Sequence, residues 1–357
     1  MPPSRTILAR FRRPSGAVPE APPEPPPWEW LSELEEYEAL CRARMEHRVD
    51  VREPLVLVSQ IQRSGGTLLS QLFDGHPECH AHPHELKIGF PRERFWPPIR
   101  LDRPDRWFEI LFEARSVRNF IRGYRKSLKG RQEEVFPFLF LARLQKQIFD
   151  ACVAERQPHS ERDVLDCYFT SYFNAWLDNH NLYTAPKRVI TGFTPRLAML
   201  PGNVAEFFDA YTDGTLISIV RDPRPWFVSA SSYAPEHYGD VTVALELWGR
   251  SVDAALEAAA EYGERVIVLT YAQLVLDTET TMRMLAERLG IAMSPVLLQP
   301  TFNGREILAN SSESVARHGV LRERVDAYRD ALDAETAALI AELAGDRYER
   351  VAAMVAG

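Results

Sequence analysis

The sequence predicts an α/β fold, in which helices flank a parallel sheet and a helical insertion occupies about residues 90–185. Two observations predict it. Short apolar runs rich in β-branched residues recur along the chain, and they alternate with segments in which apolar residues have helical spacing. The first run, residues 55–58, leads through a glycine loop into such a helical segment. This alternation indicates a parallel sheet with helices on both faces.

The glycine loop is the feature around which the chain is organised. Arg63 and Ser64 precede Gly65 and Gly66, and Thr67 follows directly. The glycines let the backbone approach an anion, while the hydroxyls and the guanidinium offer donors and a fixed charge. An ordinary capped turn is the alternative, but the combination of features favours an anion site at a helix N-terminus. The site is P-loop-like, without the Gly-Lys-Ser/Thr of nucleotide triphosphatases.

Composition limits the classes of function. The chain has 357 residues, 45% of them hydrophobic, which suffices for a core in one or two domains. A formal net charge of −8 and a pI near 5.7 argue against a general nucleic-acid binder. Cys41, Cys79, Cys152 and Cys167 show no CxxC or metal-ligand spacing, so we expect reduced thiols. Without a membrane-spanning run or a secretory signal, the sequence predicts a cytoplasmic protein.

The N-terminal residues 1–27 differ in composition from the rest of the chain. They are rich in proline and arginine and cannot pack a core, so they are predicted to form a disordered or polyproline-like arm. A docking tail is the functional alternative, and nothing in the sequence favours it. Residues 28–357 are predicted to form a single domain that begins with an amphipathic helix.

A histidine-rich segment follows the helix after the glycine loop. Residues 76–84 contain four histidines, but their spacing matches no zinc motif and Pro83 interrupts the run, so no metal is expected. His84 and Glu85 stand just beyond a short second strand. Such a strand would bring this pair to the same sheet edge as Arg63. An exposed polar turn is the alternative for either residue alone.

Residues 90–180 are predicted to be mainly helical. An apolar stripe runs from Ile110 to Leu128, and basic residues occupy another face of the predicted helix: Arg115, Arg118, Arg122, Arg125 and Lys129. A solvated face is the simpler interpretation of this basic stripe. An electrostatic funnel for an anionic molecule is the sharper one.

Further strands are predicted at residues 189–191, 215–220 and 265–269. The second of these leads directly into Arg221-Asp222-Pro223, and Ser229 lies in the segment that follows. The third is followed by Tyr271. Beyond Val320 the spacing of apolar residues predicts two amphipathic helices.

Taken in this order, the motifs resemble those of the sulfotransferase superfamily, whose donor is 3′-phosphoadenylyl sulfate (PAPS). The loop Arg63–Leu68 resembles the family's 5′-phosphosulfate loop in the arginine-bearing form of tyrosylprotein and many bacterial members. Gly66 departs from the more usual threonine. Residues 219–223, with Ser229 eight positions after the arginine, are similar to the family's 3′-phosphate site.

Two weaker matches extend the resemblance to about residues 54–350. Tyr271 and Leu274 match the ends of the family's Tyr-Glu-Asp-Leu signature, whereas Ala272 and Gln273 depart from its middle. By position, residues 310–319 lie where the family closes a loop over the nucleotide. The resemblance therefore implies nucleotide contacts from two further residues, Ser311 and Ser312.

The resemblance implies a role for each motif. PAPS carries anions at both ends of an adenosine, so its enzyme needs two anion sites. Arg63 would stabilise the departing bridge oxygen, and Arg221 with Ser229 would hold the 3′-phosphate. Glu85 or His84 would deprotonate a hydroxyl or amine acceptor, leaving PAP as the product. We favour Glu85, and the choice between the two stays open.

Two rival functions remain at this point. A kinase-like phosphotransferase would need a Walker-type lysine and a strand-end carboxylate for Mg²⁺, a role for which Asp222 is the candidate. A non-catalytic nucleotide- or glycan-binding module would keep the fold without the chemistry. The sequence does not specify the acceptor, which could be a small molecule, glycan, lipid or peptide, nor the oligomeric state.

Overall fold

The computed structural model describes residues 33–88, 96–127, 133–309, 316–326 and 328–356. The chain divides into two units, Met1–Glu46 and His47–Gly357. The described part of the first unit is helix α1 (Glu33–Glu46), which accounts for most of the predicted N-terminal helix. The predicted arm at residues 1–27 lies outside the described residues.

Strands and helices alternate through the second unit. The strands are β1 (Leu55–Val58), β2 (Cys79–Glu85), β3 (Tyr124–Ser127), β4 (Glu133–Phe136), β5 (Val189–Phe193), β6 (Thr215–Val220), β7 (Val266–Thr270), β8 (Thr301–Phe302) and β9 (Arg305–Glu306). The helices up to the second half of the chain are α2 (Gly66–Phe73), α3 (Pro104–Leu111), α4 (Ala114–Phe120), α5 (Ala142–Arg156), α6 (Glu161–Ala175) and α7 (Pro201–Ala210). Those that follow are α8 (Pro223–Tyr233), α9 (Pro235–Tyr238), α10 (Val241–Tyr262), α11 (Tyr271–Leu276), α12 (Thr278–Arg288) and α13 (Ala334–Ala356).

The central sheet is parallel, with the strand order β2-β5-β1-β6-β7. All four residues of β1 are buried, and alternate side chains enter two different cores. Leu55 and Leu57 belong to the larger hydrophobic cluster, whereas Val56 and Val58 belong to the smaller one on the other face. A sheet covered on both faces explains why its strands are continuously apolar. The predicted α/β fold is confirmed.

The segment between β2 and β5 contains helices α3 to α6, and it also contains a β-hairpin that the sequence did not predict. The apolar stripe predicted as one helix ends with α4 at Phe120, and β3 pairs antiparallel with β4. Gly123 has a φ of +97°, and a Cβ there would lie 2.9 Å from the Phe136 carbonyl oxygen. This left-handed turn stops the helix. Arg115 and Arg118 therefore lie on α4, Arg122 in the turn and Arg125 on β3, whereas Lys129 lies outside the described residues.

The expectation of four reduced cysteines is wrong for one pair. Cys152 on α5 and Cys167 on α6 form a disulfide, with their Cα atoms 5.5 Å apart. The two helices pack against each other as a hairpin, which brings together residues that have no recognisable spacing in the sequence. Cys41 and Cys79 are free.

The C-terminal region also differs from expectation. Two amphipathic helices were predicted beyond Val320, but the first is only a 3₁₀ turn, Arg322–Val325, and the second is the long helix α13. Among the described residues, no helix has the length and apolar character needed to cross a membrane.

Candidate active site

The glycine loop joins the end of β1 to the start of α2. Gly65 has a φ of +109°, and a Cβ there would lie 2.7 Å from the Tyr271 ring. A Cβ at Gly66 would lie 2.3 Å from both Gln60 Nε2 and the Phe193 ring. Neither position has room for a side chain. The threonine more usual at the position of Gly66 would therefore collide with Phe193.

The two strand-end motifs meet beside this loop. Arg63 Nε donates a hydrogen bond to Ser229 Oγ at 3.0 Å, which links the loop to α8. Arg221 follows β6, and its Nη1 donates to the Arg63 carbonyl oxygen at 3.1 Å. The Arg221 guanidinium also lies 4.5 Å from the centre of the Tyr271 ring. Residues that are 158 positions apart in the chain thus form one site.

Arg324 belongs to the same site, although no motif revealed it. It lies on the 3₁₀ turn Arg322–Val325, where its carbonyl oxygen accepts a hydrogen bond from Arg221 Nη2 at 3.2 Å. Arg63, Arg221 and Arg324 line one cavity of about 340 Å³. Burial lowers the pKa of both Arg63 and Arg221, and the neighbouring guanidinium charges lower it further. Three cations that disfavour one another suit an anion bound between them.

Unsatisfied polar atoms point to the same conclusion. Within the described part of the chain, the buried Ser64 Oγ and Arg221 Nε have no hydrogen-bond partner. Leaving such a group unpaired costs about 1–3 kcal/mol, which the oxygen atoms of an anion would offset. Asp222, by contrast, accepts hydrogen bonds from the Arg224 backbone N–H at 2.9 Å and from Arg224 Nε at 3.0 Å. Its carboxylate caps α8 and binds an arginine, so it is poorly placed to hold Mg²⁺.

A second cavity, of about 580 Å³, adjoins the first. Four residues line both cavities and mark where they meet: Thr67, Gln71, Glu85 and Phe193. The Glu85 side chain is 41% exposed, and its Oε2 lies 3.3 Å from Lys87 Nζ. A carboxylate at this junction can reach a molecule in either cavity. It is therefore well placed to accept a proton.

His84 lies beside Glu85 but in a different environment. Its Nδ1 donates to the Glu85 carbonyl oxygen at 2.8 Å, and its Nε2 accepts from the Tyr172 hydroxyl at 3.0 Å. Burial, with a smaller effect of His82, lowers the pKa of His84 to about 3. Although the ring reaches the second cavity, both nitrogens are occupied. His84 can hold the end of β2 in place more readily than it can accept a proton.

Beneath His84 lies a buried carboxylate that the sequence did not single out. Glu113 Oε1 accepts from His82 Nε2 at 2.9 Å and from the Tyr168 hydroxyl at 2.7 Å, and Oε2 accepts from the Lys87 backbone N–H at 2.8 Å. Burial alone would raise the pKa of Glu113, but the two histidines and these hydrogen bonds lower it to about 2. The network fixes the backbone on both sides of Glu85.

This network also bears on the expectation that no metal is bound. Potential ligand atoms of His82, His84 and Glu113 lie within 4.8 Å of one another, the one such group in the described part of the chain. However, these atoms already form hydrogen bonds. His82 bonds to Glu113 and to the His84 carbonyl oxygen, while the Tyr172 hydroxyl bonds to His84, and the Tyr168 hydroxyl and the Lys87 backbone N–H bond to Glu113. The absence of a metal stays a prediction.

The remaining sequence-predicted residues surround the first cavity or fall outside the description. Thr67 and Leu68 line the cavity beside Gly65, and Tyr271 forms its floor under the loop. Gln273, which departs from the family signature, completes a capping box with Thr270 at the start of α11. Ser311 and Ser312 lie outside the described residues.

Comparisons with known proteins give the chain a family. The model of a sulfotransferase family matches residues 54–295, which is more than half of the chain. No curated protein sequence matches at a significant level. Among solved structures, a sulfotransferase domain from the curacin biosynthetic pathway is 16% identical with a TM-score of 0.44, covering 81% of this chain and 96% of its own.

Two further solved structures are also similar. The sulfotransferase domain of the Synechococcus PCC 7002 olefin synthase is 18% identical with a TM-score of 0.42, covering 83% of this chain and 97% of its own. Mouse sulfotransferase SULT7A1, complexed with PAP, is 15% identical with a TM-score of 0.36, covering 87% and 89%. On the match of the family model, the chain belongs to the sulfotransferase family.

Proposed function

We propose that the protein transfers the sulfuryl group of PAPS to a hydroxyl or amine acceptor and releases PAP. The observation that carries this proposal is the convergence of Arg63, Arg221 and Arg324 on a cavity that meets a second cavity at Glu85. PAPS has anions at both ends of its adenosine, so its site needs donors at two places. The glycine loop supplies one set, and the residues after β6 supply the other.

Different residues of this chain carry out different parts of the reaction. Arg221, Ser229 and Arg324 hold the 3′-phosphate, while the N–H groups of the loop and the Ser64 hydroxyl hold the 5′ end. Glu85 accepts the proton of the acceptor as the acceptor oxygen or nitrogen attacks sulfur. As the bond from sulfur to the 5′-phosphate oxygen breaks, its electron pair stays on that oxygen, and Arg63 and the loop stabilise the charge.

The rival functions have less support. A kinase-like reaction needs a cation held near the phosphates, and Arg224 occupies the carboxylate of Asp222. A binding module without catalysis would not need an exposed carboxylate where two cavities meet. For the acceptor we propose a molecule that enters the second cavity from solvent, either free or carried on a larger partner.

Ligand binding tests the donor. PAP should bind far more tightly than 5′-AMP, because only PAP has the 3′-phosphate, and ATP with Mg²⁺ should bind no better than 5′-AMP. Isothermal titration calorimetry measures all three affinities, and a rise in Tm with PAP concentration gives an independent check by mass action. Equal affinities for PAP and 5′-AMP would contradict the proposal, as would a requirement for Mg²⁺.

The cytoplasmic location predicted from the sequence remains a proposal. One argument for this location was the expectation of reduced thiols. The Cys152–Cys167 disulfide weakens that argument, because disulfides persist mainly in oxidising compartments. Titrating thiols in denatured, freshly isolated protein distinguishes the two states. Four free thiols would fit a reducing cytoplasm, whereas two would indicate that the bond forms in the cell.

A further inference from the structure

We propose that the acceptor is anionic, and that its anionic group binds Lys126 and Arg115 while its hydroxyl or amine lies at Glu85. Both basic residues line the second cavity, which the carboxylate of Glu85 also lines. This inference rests on the proposed function, since it names the class of molecule that the second cavity receives.

The main observation behind the inference is that Lys126 is enclosed by protein but has no partner in the described part of the chain. Lys126 lies on β3 and is only 5% exposed, yet it lines the cavity. Among the described residues, its ammonium forms no hydrogen bond or ion pair. The ammonium opens on the cavity while the rest of the residue is enclosed by protein, and a charge in such a confined place is normally paired. An anion inside the cavity would provide the missing partner.

The carboxylate that stands opposite Lys126 in the hairpin has other hydrogen-bond partners. Glu134 on β4 stands directly opposite Lys126. Its Oε2 accepts from the Leu308 backbone N–H at 2.7 Å, and its Oε1 lies 2.8 Å from His318 Nε2. Burial and the positive charge of Arg63 lower the pKa of Lys126 to about 8, and Glu134 offsets only part of this. Lys126 therefore remains largely charged near neutral pH but poorly compensated.

Three other charged or titratable groups of the cavity have partners among the described residues. Lys87 pairs with Glu85 at 3.3 Å, and Arg125 pairs with Glu133 at 3.0 Å. His84 is held by Tyr172, as described above. Arg115, on α4, forms no ion pair with the described residues. Arg115 and Lys126 are thus two positive charges in the cavity lining that form no ion pair with a described carboxylate.

The rest of the basic stripe behaves differently. Arg115, Arg118 and Arg122 are all exposed, but only Arg115 of these three also lines the cavity. The described part of the predicted stripe thus contains residues that line a cavity and residues that do not. The aromatic rings of Phe120, Tyr124 and Phe193 line the same cavity. An acceptor that has an anionic group, an apolar part and a nucleophilic hydroxyl or amine fits a lining of this composition.

Paired probes test the inference. The enzyme is first saturated with PAP, which fills the donor cavity. Binding of 4-hydroxyphenylacetate is then compared with binding of 4-hydroxyphenylacetamide, and 6-hydroxyhexanoate with 6-hydroxyhexanamide, by isothermal titration calorimetry. Each amide keeps the shape and the hydroxyl of its partner but lacks the charge. We expect each carboxylate to bind at least about 10-fold more tightly, the minimum for one charge-assisted contact.

Substitutions show which residues cause the preference for a carboxylate over an amide. Lys126→Met should remove about 10-fold or more of the carboxylate affinity and leave that of the amides unchanged. Arg115→Ala should act in the same direction and provides a second test if Lys126→Met fails to fold. Arg118→Ala is the matched control, because it removes an arginine from the same helix outside the cavity. It should change neither affinity.

The outcomes are distinguishable. If PAP itself fails to bind, the proposed function is wrong. If PAP binds but the carboxylates bind no better than the amides, or no probe binds, the inference of an anionic acceptor is wrong and the donor proposal stands. A carboxylate preference that survives both Lys126→Met and Arg115→Ala would also overturn it.

Discussion

The proposed donor side and the proposed acceptor side of the cleft are built in different ways. On the donor side, residues come from strand ends, where short motifs such as Arg63–Leu68 pass directly into a helix. On the acceptor side, the site depends on an insertion between β2 and β5, whose hairpin and helices bring Lys126, Glu113 and Tyr172 to the end of β2. Local motifs therefore form most of the proposed donor site, whereas the proposed acceptor site depends on tertiary packing.

Substitution at Glu85, where the two sides meet, should have the largest effect. Glu85→Gln keeps the shape of the side chain but removes the proton acceptor, so kcat should fall by a factor on the order of 10²–10⁴. PAP affinity should be unchanged. The matched variant is His84→Asn, which should retain most of kcat if its nitrogens only hold β2. Steady-state kinetics measure kcat, and calorimetry measures the affinity for PAP. A normal kcat in Glu85→Gln would show that another residue accepts the proton.

Removing the carboxylate beneath the acceptor side should mainly affect stability. Glu113→Ala leaves His82, Tyr168 and the Lys87 N–H without their acceptor, and breaking such a buried pair costs about 3–5 kcal/mol. Chemical denaturation measures this loss. Glu109→Ala, which removes an exposed carboxylate paired with Arg106, should cost less than about 1 kcal/mol and is the control. A similar small loss for Glu113→Ala would show that the network does not hold the insertion in place.

Acid should weaken the packing around β2, which carries both His80 and His84. Burial lowers the pKa of both His80 and His84 to about 3, so below pH 6.5 the unfolded chain binds protons that the folded chain does not. The free energy of unfolding should therefore decrease as the pH falls, by about 2 kcal/mol per histidine between pH 6.5 and 5. Glu113 adds a further loss below pH 4.5, because its folded-state pKa is about 2. Stability that does not change between pH 6.5 and 5 would contradict the burial of these histidines.

On the donor side, Arg221 should affect binding rather than folding. Arg221→Ala removes a charge-assisted contact worth about 1.5–3 kcal/mol, so the Kd for PAP should rise about 10- to 150-fold. The affinity for 5′-AMP should hardly change, because Arg221 is assigned to the 3′-phosphate. Arg224→Ala, three residues further along, removes an arginine bound to Asp222 and is the control. Equal losses of affinity for PAP and for 5′-AMP would show that Arg221 does not bind the 3′-phosphate.

The same contrast explains how far the sequence could predict this protein. The strands of the central sheet and the residues that follow β1 and β6 were predictable because apolar runs and glycine turns are local signals. Arg324 could not be predicted, because a single arginine on a 3₁₀ turn belongs to no recognisable sequence motif. Glu113 and the Cys152–Cys167 disulfide depend on helices meeting in three dimensions, and the hairpin at Gly123 interrupted a periodicity that resembled a helix. These features required tertiary information.

Transfer of a labelled sulfuryl group tests the central claim most directly. The protein is incubated in EDTA with PAPS labelled with ³⁵S and with hydroxyl and amine acceptors, including 4-hydroxyphenylacetate and 6-hydroxyhexanoate, and the acceptors are separated from nucleotide. We expect label to appear on an acceptor with release of one PAP for each sulfuryl group transferred, and both to decrease together in Glu85→Gln. Label that remains on the nucleotide while PAP binds tightly would contradict catalysis and leave only a binding module.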